Sequence, residues 1–376
     1  MYRGYGNPED DWASLGVNTL LKRDPIFNKL YNWSYDDGTC LGAVYNIYQL
    51  KKQSKMLEYC KSNFDRYLDS QGNIHDYVAE DLALDDICNG KSLLDLYHET
   101  KDLKYKKAAD KLYEQLKMQP RTEEGTFWHK KRYPSQVWLD GLYMGSVFYA
   151  KYQKMFNLDD RYDDVVHQFL SAYKVTLDDE SGLCYHAYDE ARQQPWVNKE
   201  TGHSPHFWTR AIGWFVMAMA DVLEYLPEDI EGRKQIIDNL DHLLKALKDY
   251  SDPQTHLWYQ VTDEIDRPMN YIEQSGSSMI LAAMAKGVRM GYLNASDYED
   301  FIEKGWVNSL EQFITITNEG YVNTNRTCQV GGLGGPNKRD GSYAYYMSEP
   351  VISNDHKGYG AFLYLAYEME QRKVNN

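Results

Sequence analysis

The sequence predicts an all-α fold, a toroid built from six helical hairpins. Three observations lead there. About twelve stretches carry apolar residues at helical spacing. These stretches alternate between two kinds. No Ser/Gly/Pro-rich linker divides the 376 residues, so residues 1–376 read as a single domain. Two packed helical domains are the alternative arrangement of the same helices.

A weak helical stretch spans about 10–23. The first strong one opens at Asp37-Gly38 and runs to about 53, with Leu41, Val44, Tyr45, Ile47 and Tyr48 on one face. Further stretches fall near 55–67, 85–99, 103–118, 140–156, 160–175, 206–226, 231–249, 275–290, 296–315 and 356–372. One kind opens on small or polar residues and then turns strongly apolar or aromatic: Leu84–Gly90, Trp138–Met144, Trp208–Trp214, Ser275–Met279 and His356–Phe362. The other is amphipathic and rich in Lys, Asp and Glu, as in Tyr105–Leu116 and Glu231–Lys248. A helix apolar most of the way round is buried, and an amphipathic one lies outside. The pattern therefore gives an inner and an outer ring. Inner starts near 85, 140, 206, 275 and 356 are unevenly spaced, which excludes a tight short repeat and suits hairpins with variable loops.

The loops carry the strand-like text. Tyr185–Asp189, Leu257–Val261 and Gly320–Asn323 follow turn signals and read as short hairpins. The turns Asp69–Asn73, Glu123–Thr126 and Asp179–Gly182 each deliver an aromatic or His segment just ahead of the next helical unit. One shared, aromatic-rich cleft is the spatial consequence.

Composition narrows the function. Lys+Arg number 41 against 56 Asp+Glu, a formal charge of −15, and aromatic residues make up 14% of the chain. Disordered chains are poor in aromatics. With 26 Gly, 11 Pro and no period, collagen-like fibres are excluded. No run of about 18 apolar residues occurs, so no membrane helix is expected. The acidic balance argues against nucleic acid, whose phosphates call for clustered Lys and Arg. Aromatics in a hydrophilic chain either fill a core or line a groove for flat, hydroxylated ligands such as sugars. Cys40, Cys60, Cys88, Cys184 and Cys328 are odd in number, with no CxxC pair. They indicate neither a disulfide framework nor a zinc ribbon. The first ten residues carry no apolar signal-peptide core, and a reducing cytoplasm fits best.

No metal or cofactor is expected. His203 and His206, with His129 and His186 elsewhere, match no ligand spacing. Gly331–Pro336 lacks the strand and helix of a phosphate loop and reads as a flexible cleft loop. No Gly-x-Ser-x-Gly elbow is present.

Carboxylates are the best chemical candidates. Asp140 has apolar neighbours on both sides. Its ionised form would lose hydration, which raises the pKa and keeps a proton available near neutral pH. A helix N-cap is the competing reading. Asp85 is an acid at the corresponding place on another inner helix, with the same competing reading. Two such acids facing one cleft suggest glycoside chemistry. Arg210 lies between Trp208 and Trp214. Arg binds carboxylates bidentately and stacks on aromatic faces, which suits an acidic sugar; a buried salt bridge is the alternative. A uronate approaching an acidic protein would need local compensation from Arg210, Lys130, His129 and His186.

Trp138–Met144, Leu84–Gly90 and Trp208–Trp214 together resemble the unsaturated rhamnogalacturonyl hydrolases of glycoside hydrolase family 105 and the related unsaturated glucuronyl hydrolases of family 88. The resemblance runs through the chain to Asn354–Gly358. It implies an (α/α)6 barrel and a glycosidase. The implied substrate is an oligosaccharide, left by a polysaccharide lyase, with a 4,5-unsaturated uronic acid at its non-reducing end. Rhamnogalacturonan fragments are the first expectation. Ulvan, arabinogalactan or glycosaminoglycan fragments are the alternatives, with an ordinary inverting glycosidase, a His-based epimerase and a non-catalytic sugar-binding toroid beyond them. The resemblance makes Asp140 the catalytic acid and then base, with Asp85 supporting it. It makes His129, Lys130, Met144, His186, Trp208, Arg210 and Trp214 substrate contacts, and Tyr35 and Thr39 weaker ones. One departure stands out: a stretch that commonly reads Trp-Ala-Arg-Gly-Asn-Gly-Trp has Thr209, Ala211 and Ile212 here, so a polar group is missing.

Overall fold

In the computed structural model, which describes residues 6–375, the inner ring closes on itself. Its members are α2 (Tyr35–Lys51), α4 (Gly90–Thr100), the compound helix α6 (Leu139–Gly141) to α7 (Val147–Phe156), α9 (Thr209–Val222), α11 (Gln274–Arg289) and α14 (His356–Asn375). Each packs on the next, and α14 returns to α2. The outer helices are α1 (Trp12–Arg23), α3 (Ser54–Asp65), α5 (Leu103–Met118), α8 (Tyr162–Thr176), α10 (Arg233–Asp249) and α12 (Ala295–Phe313). Each lies against an inner neighbour. This is an (α/α)6 barrel.

Residue chemistry explains the two rings. Every residue of α9 except Asp221 is buried, as an inner helix requires. In α10 only the stripe Ile236, Asn239, Leu240, Leu243, Leu244 and Leu247 is buried. Side chains from both rings form one apolar core and seal all five cysteines, which are free.

The helical boundaries differ from expectation in two informative places. The stretch expected at 85–99 begins as a 3-10 turn, Leu84–Ile87, before α4. The stretch expected at 140–156 is broken after α6 by a π-helical turn, Leu142–Ser146. Such turns insert a residue into a helix and are frequent at functional sites. The short helix α13 (Tyr343–Ser348) lies inside what reads as loop.

The loop strands are short, and the Tyr185–Asp189 segment pairs with a strand from an earlier loop rather than in a hairpin of its own. β1 (Gln136–Trp138) pairs with β2 (Ala187–Asp189), β3 (Ile314–Ile316) with β4 (Val322–Thr324), and β5 (Thr327–Cys328) with β6 (Val351–Ile352), all antiparallel. The Leu257–Val261 segment makes only isolated bridges, Tyr259 to Ile272 and Val261 to Trp208. After α8, Asp178 accepts from the Ser181 amide, and Gly182 takes a φ of 71° that side chains disfavour. That turn sends Cys184 back to pair with Leu177. The following residues, Tyr185 and His186, then lie at the N-terminal end of the inner ring.

Candidate active site

Backbone pairings build a cluster at the N-terminal ends of the inner helices. Lys130 pairs with Ala83, and the Leu84 amide donates to the His129 carbonyl at 3.0 Å. This sets His129 and Lys130 beside Asp85. The β1–β2 ladder sets Trp138 opposite Ala187, and the Leu139 amide donates to the His186 carbonyl at 3.2 Å. This sets His186 beside Asp140. Gly141 lets the third inner helix approach the second: a Cβ there would stand 3.0 Å from Leu84 and 3.3 Å from His129.

Neither acid is a helix cap. Trp138 occupies the cap position of α6 and makes no side-chain cap bond. Asp140 Oδ2 is buried without a hydrogen-bond partner and lies 3.6 Å from His186 Nε2. Burial first, and then the charge of Asp85, push the Asp140 carboxyl up to about 7. Asp85 differs because of its partners. The Lys130 ammonium donates to Asp85 Oδ2, and His129 Nε2 lies 3.4 Å from Oδ1. Burial pushes Asp85 up as well, but the Lys130 ammonium outweighs this and holds the carboxyl below its usual value. The environments push two carboxyls apart: one stays ionised, and the other keeps a proton into the neutral range. That is the pattern of an acid with a supporting base.

The histidines are neutral. Burial lowers His129 to about 3 and drives His186 well below the ordinary imidazole value. His186 is fully buried. Its Nδ1 shares a 2.7 Å hydrogen bond with the Tyr346 hydroxyl. Its ring lies 4.7 Å from Trp208 and 5.2 Å from Trp138. Trp138 also stacks on His129 at 4.7 Å and on Tyr133 at 5.1 Å.

Arg210 is 1% exposed, with its guanidinium 5.0 Å from the Trp208 ring centre. Its Nη2 donates to the Cys328 carbonyl, and its Nε has no partner. Among the described residues it forms no direct ion pair, so the buried salt bridge considered from sequence is absent. Tyr35 opens α2, 6.4 Å edge-on from Trp214. Burial, followed by Asp36 and Asp85, raises its hydroxyl well above the usual range. Trp214 packs 4.6 Å from Tyr143 and is enclosed. The polar cluster does not take in Thr39 or Met144. Thr39 is fully buried and donates to the Tyr35 carbonyl at 2.9 Å, and Met144 is sealed in the π-helical turn.

Two nearby groups escaped sequence reasoning. Tyr346 sits on α13, and the cluster Tyr343, Tyr345 and Tyr346 was its only signal. Asp36 sits at the start of the first inner helix, the position Asp85 and Asp140 occupy in theirs, and that parallel could have found it. Burial raises Asp36 despite Lys357, 3.6 Å away. A separate cavity of about 470 Å³, lined by Lys91, Asp95, Lys151, Asp221, Lys286 and Glu368, lies along the inner helices away from the two acids. Its charges are largely paired among themselves, as Lys151 with Asp95 at 2.6 Å and Lys286 with Asp221 at 2.5 Å. Among the described residues, no group of three or more His, Cys, Asp or Glu is arranged to hold a metal ion.

Two carboxyls in contrasting environments at the mouth of an (α/α)6 barrel suit a glycosidase, and that is the class to which the family match assigns the chain. The chain belongs to Glycosyl Hydrolase Family 88, whose model matches residues 17–373. It is 43% identical to a family 105 glycoside hydrolase from C. acetobutylicum ATCC 824, with a TM-score of 0.94 over 96% of this chain and 100% of that one. It is 27% identical to the unsaturated rhamnogalacturonyl hydrolase YesR of Bacillus subtilis (strain 168) over 73% of this chain and 76% of the relative. It is 34% identical to protein Atu3128 of Agrobacterium fabrum over 60% of this chain and 97% of that protein.

Proposed function

We propose that the whole chain, 1–376, is one catalytic barrel that removes a 4,5-unsaturated uronic acid from the non-reducing end of a rhamnogalacturonan fragment. The observation that carries this reading is the Asp140 carboxyl, its Oδ2 unpartnered, raised to about 7 by burial and by an ionised Asp85. Asp140 donates its proton to C4 of the C4=C5 bond, and positive charge develops at C5 and the ring oxygen. Water then adds to C5 and loses a proton to the Asp140 carboxylate, which restores the acid. The hemiketal formed at C5 opens, and the aglycone leaves from C1. The anomeric carbon is never attacked, so the scheme differs from both usual glycosidase schemes.

Arg210, with Trp208 behind it, is the proposed carboxylate contact, and its unpartnered Nε supports that role. The buried rings of Trp138 and Trp208, packed around His186, keep water from Asp140. The rhamnogalacturonan preference draws on the likeness to the Bacillus subtilis hydrolase. The five free, buried cysteines support a reducing cytoplasmic setting. Among the described residues, no helix is long and apolar enough to cross a membrane.

The test is a panel of unsaturated disaccharides that differ in the residue after the uronate. Turnover removes the conjugated double bond and its absorbance. Fastest loss on the rhamnose-linked member supports the proposal. Faster loss on a glucosamine-linked or sulfated member moves the substrate to another polysaccharide. Cleavage of saturated glycosides with no absorbance loss on any member rejects hydration.

A further inference from the structure

Among the described residues, His186 is the imidazole set against Asp140, with Nε2 3.6 Å from Oδ2, and a neutral imidazole facing a carboxyl can act in two opposite ways. Protonated on Nδ1, it presents a lone pair at Nε2 and would compete with substrate for the acid's proton. Protonated on Nε2, it is a donor and cannot take that proton. The hydroxyl on the other side of the ring decides between them.

Tyr346 is fully buried, and among the described residues its hydroxyl meets only His186 Nδ1, at 2.7 Å. A phenol always carries one hydrogen in the neutral range, because burial raises Tyr346 well above its usual value. If Nδ1 carried a hydrogen too, the phenol oxygen would have to accept it. The phenol's own hydrogen would then be buried with no acceptor. Buried donors left unmet are rare, because each forfeits its hydration. The arrangement that satisfies both groups has Tyr346 donating to Nδ1, and it leaves the Nε2 hydrogen facing Asp140 Oδ2, an acceptor 3.6 Å away that is likewise unpartnered.

We infer that Tyr346 is a positioning residue that fixes His186 in the tautomer protonated at Nε2, so that this N–H faces Asp140 and steadies its carboxylate once the proton has gone to substrate. Packing holds the geometry: the Tyr346 ring stacks 6.1 Å from Trp208, and Trp208 lies 4.7 Å from His186. The inference rests on the proposed hydration reaction and deepens it. It also removes His186 as a general base. Other charges acting on Asp140 come from Asp85, Arg210 and Lys130. All of these stay in place when only the Tyr346 hydroxyl is removed.

Two measurements test this. Imidazole ¹⁵N spectra of the wild-type protein, with His186 assigned through His186→Gln, need neither substrate nor turnover. A protonated Nε2 and bare Nδ1 support the inference, and the reverse pattern overturns it. The second measurement is the pH profile of Tyr346→Phe on an unsaturated disaccharide. With the tautomer no longer fixed, the Asp140 carboxylate loses its donor and its pKa rises. The high-pH limb of kcat/KM then moves up by about one unit. We expect kcat to fall about tenfold, with KM changed about twofold or less. A lower rate with an unmoved limb reports a structural role and overturns the inference. Wild-type protein that leaves every unsaturated disaccharide intact rejects the hydration reading, while the spectra still read the tautomer.

Discussion

Asp85→Asn isolates one of the two causes that raise Asp140. The change keeps side-chain size and removes a charge. Burial remains, so Asp140 should stay above the ordinary carboxylate value but fall from about 7. A like charge at close range contributes roughly one pKa unit, or ~1.4 kcal/mol. The variant's Asp140 should therefore titrate near ~6. The sign follows from the mechanism: Asp140 must be protonated to act, so kcat/KM falls as pH rises through its pKa. At pH 7 about half of the wild-type molecules hold the proton. In the variant about one in eleven would, a loss of roughly fivefold from protonation alone. Any larger loss measures what Asp85 does for substrate position. The assay is the initial rate of absorbance loss between about pH 5 and 9, where kcat/KM reports groups of the free enzyme. The low-pH rate should recover relative to the rate at pH 7. A high-pH limb that stays in place or moves upward would show that Asp85 does not act on Asp140 by charge, and the reasoning fails.

Other substitutions probe the remaining parts. Asp140→Asn should lower turnover by several orders of magnitude with disaccharide binding retained, measured by calorimetry; near-wild-type turnover would refute its role. Lys130→Met strands the Asp85 carboxylate, which is only 17% exposed. Breaking such a pair should cost roughly 2–4 kcal/mol in denaturant unfolding, and an unchanged midpoint would contradict the pairing. Arg210→Ala should weaken binding of the uronate far more than that of its methyl ester. Equal weakening of both would remove Arg210 from carboxylate recognition.

Parts of this protein are legible from residue order because they depend on local chemistry. Helical periodicity reports which face is apolar, and the extent of apolarity separates Thr209–Val222 from Arg233–Asp249 before any packing is known. That alternation points to a toroid but leaves two packed helical domains open, and the packing of α14 back onto α2 decides for the (α/α)6 barrel. The breaks in the second and third inner helices are not legible. A 3-10 turn at Leu84–Ile87 and a π turn at Leu142–Ser146 answer to tertiary crowding, such as Leu84 against Gly141 and Gly145, and leave no periodic signal of their own.

The same division holds at the site. Sequence alone marks Asp140 as an acid among apolar residues and Asp85 as its counterpart, but it leaves both equally open to a capping role. Only the fold decides their states. Lys130 is 45 residues from Asp85 in the chain, and Tyr346 is 160 from His186. An ion pair or a hydrogen bond between residues so far apart exists only after the hairpins have closed the ring. Burial is likewise a property of the assembled cluster. The residue types are fixed in the chain; which carboxyl keeps its proton is set by what the folded chain brings within a few ångströms of it.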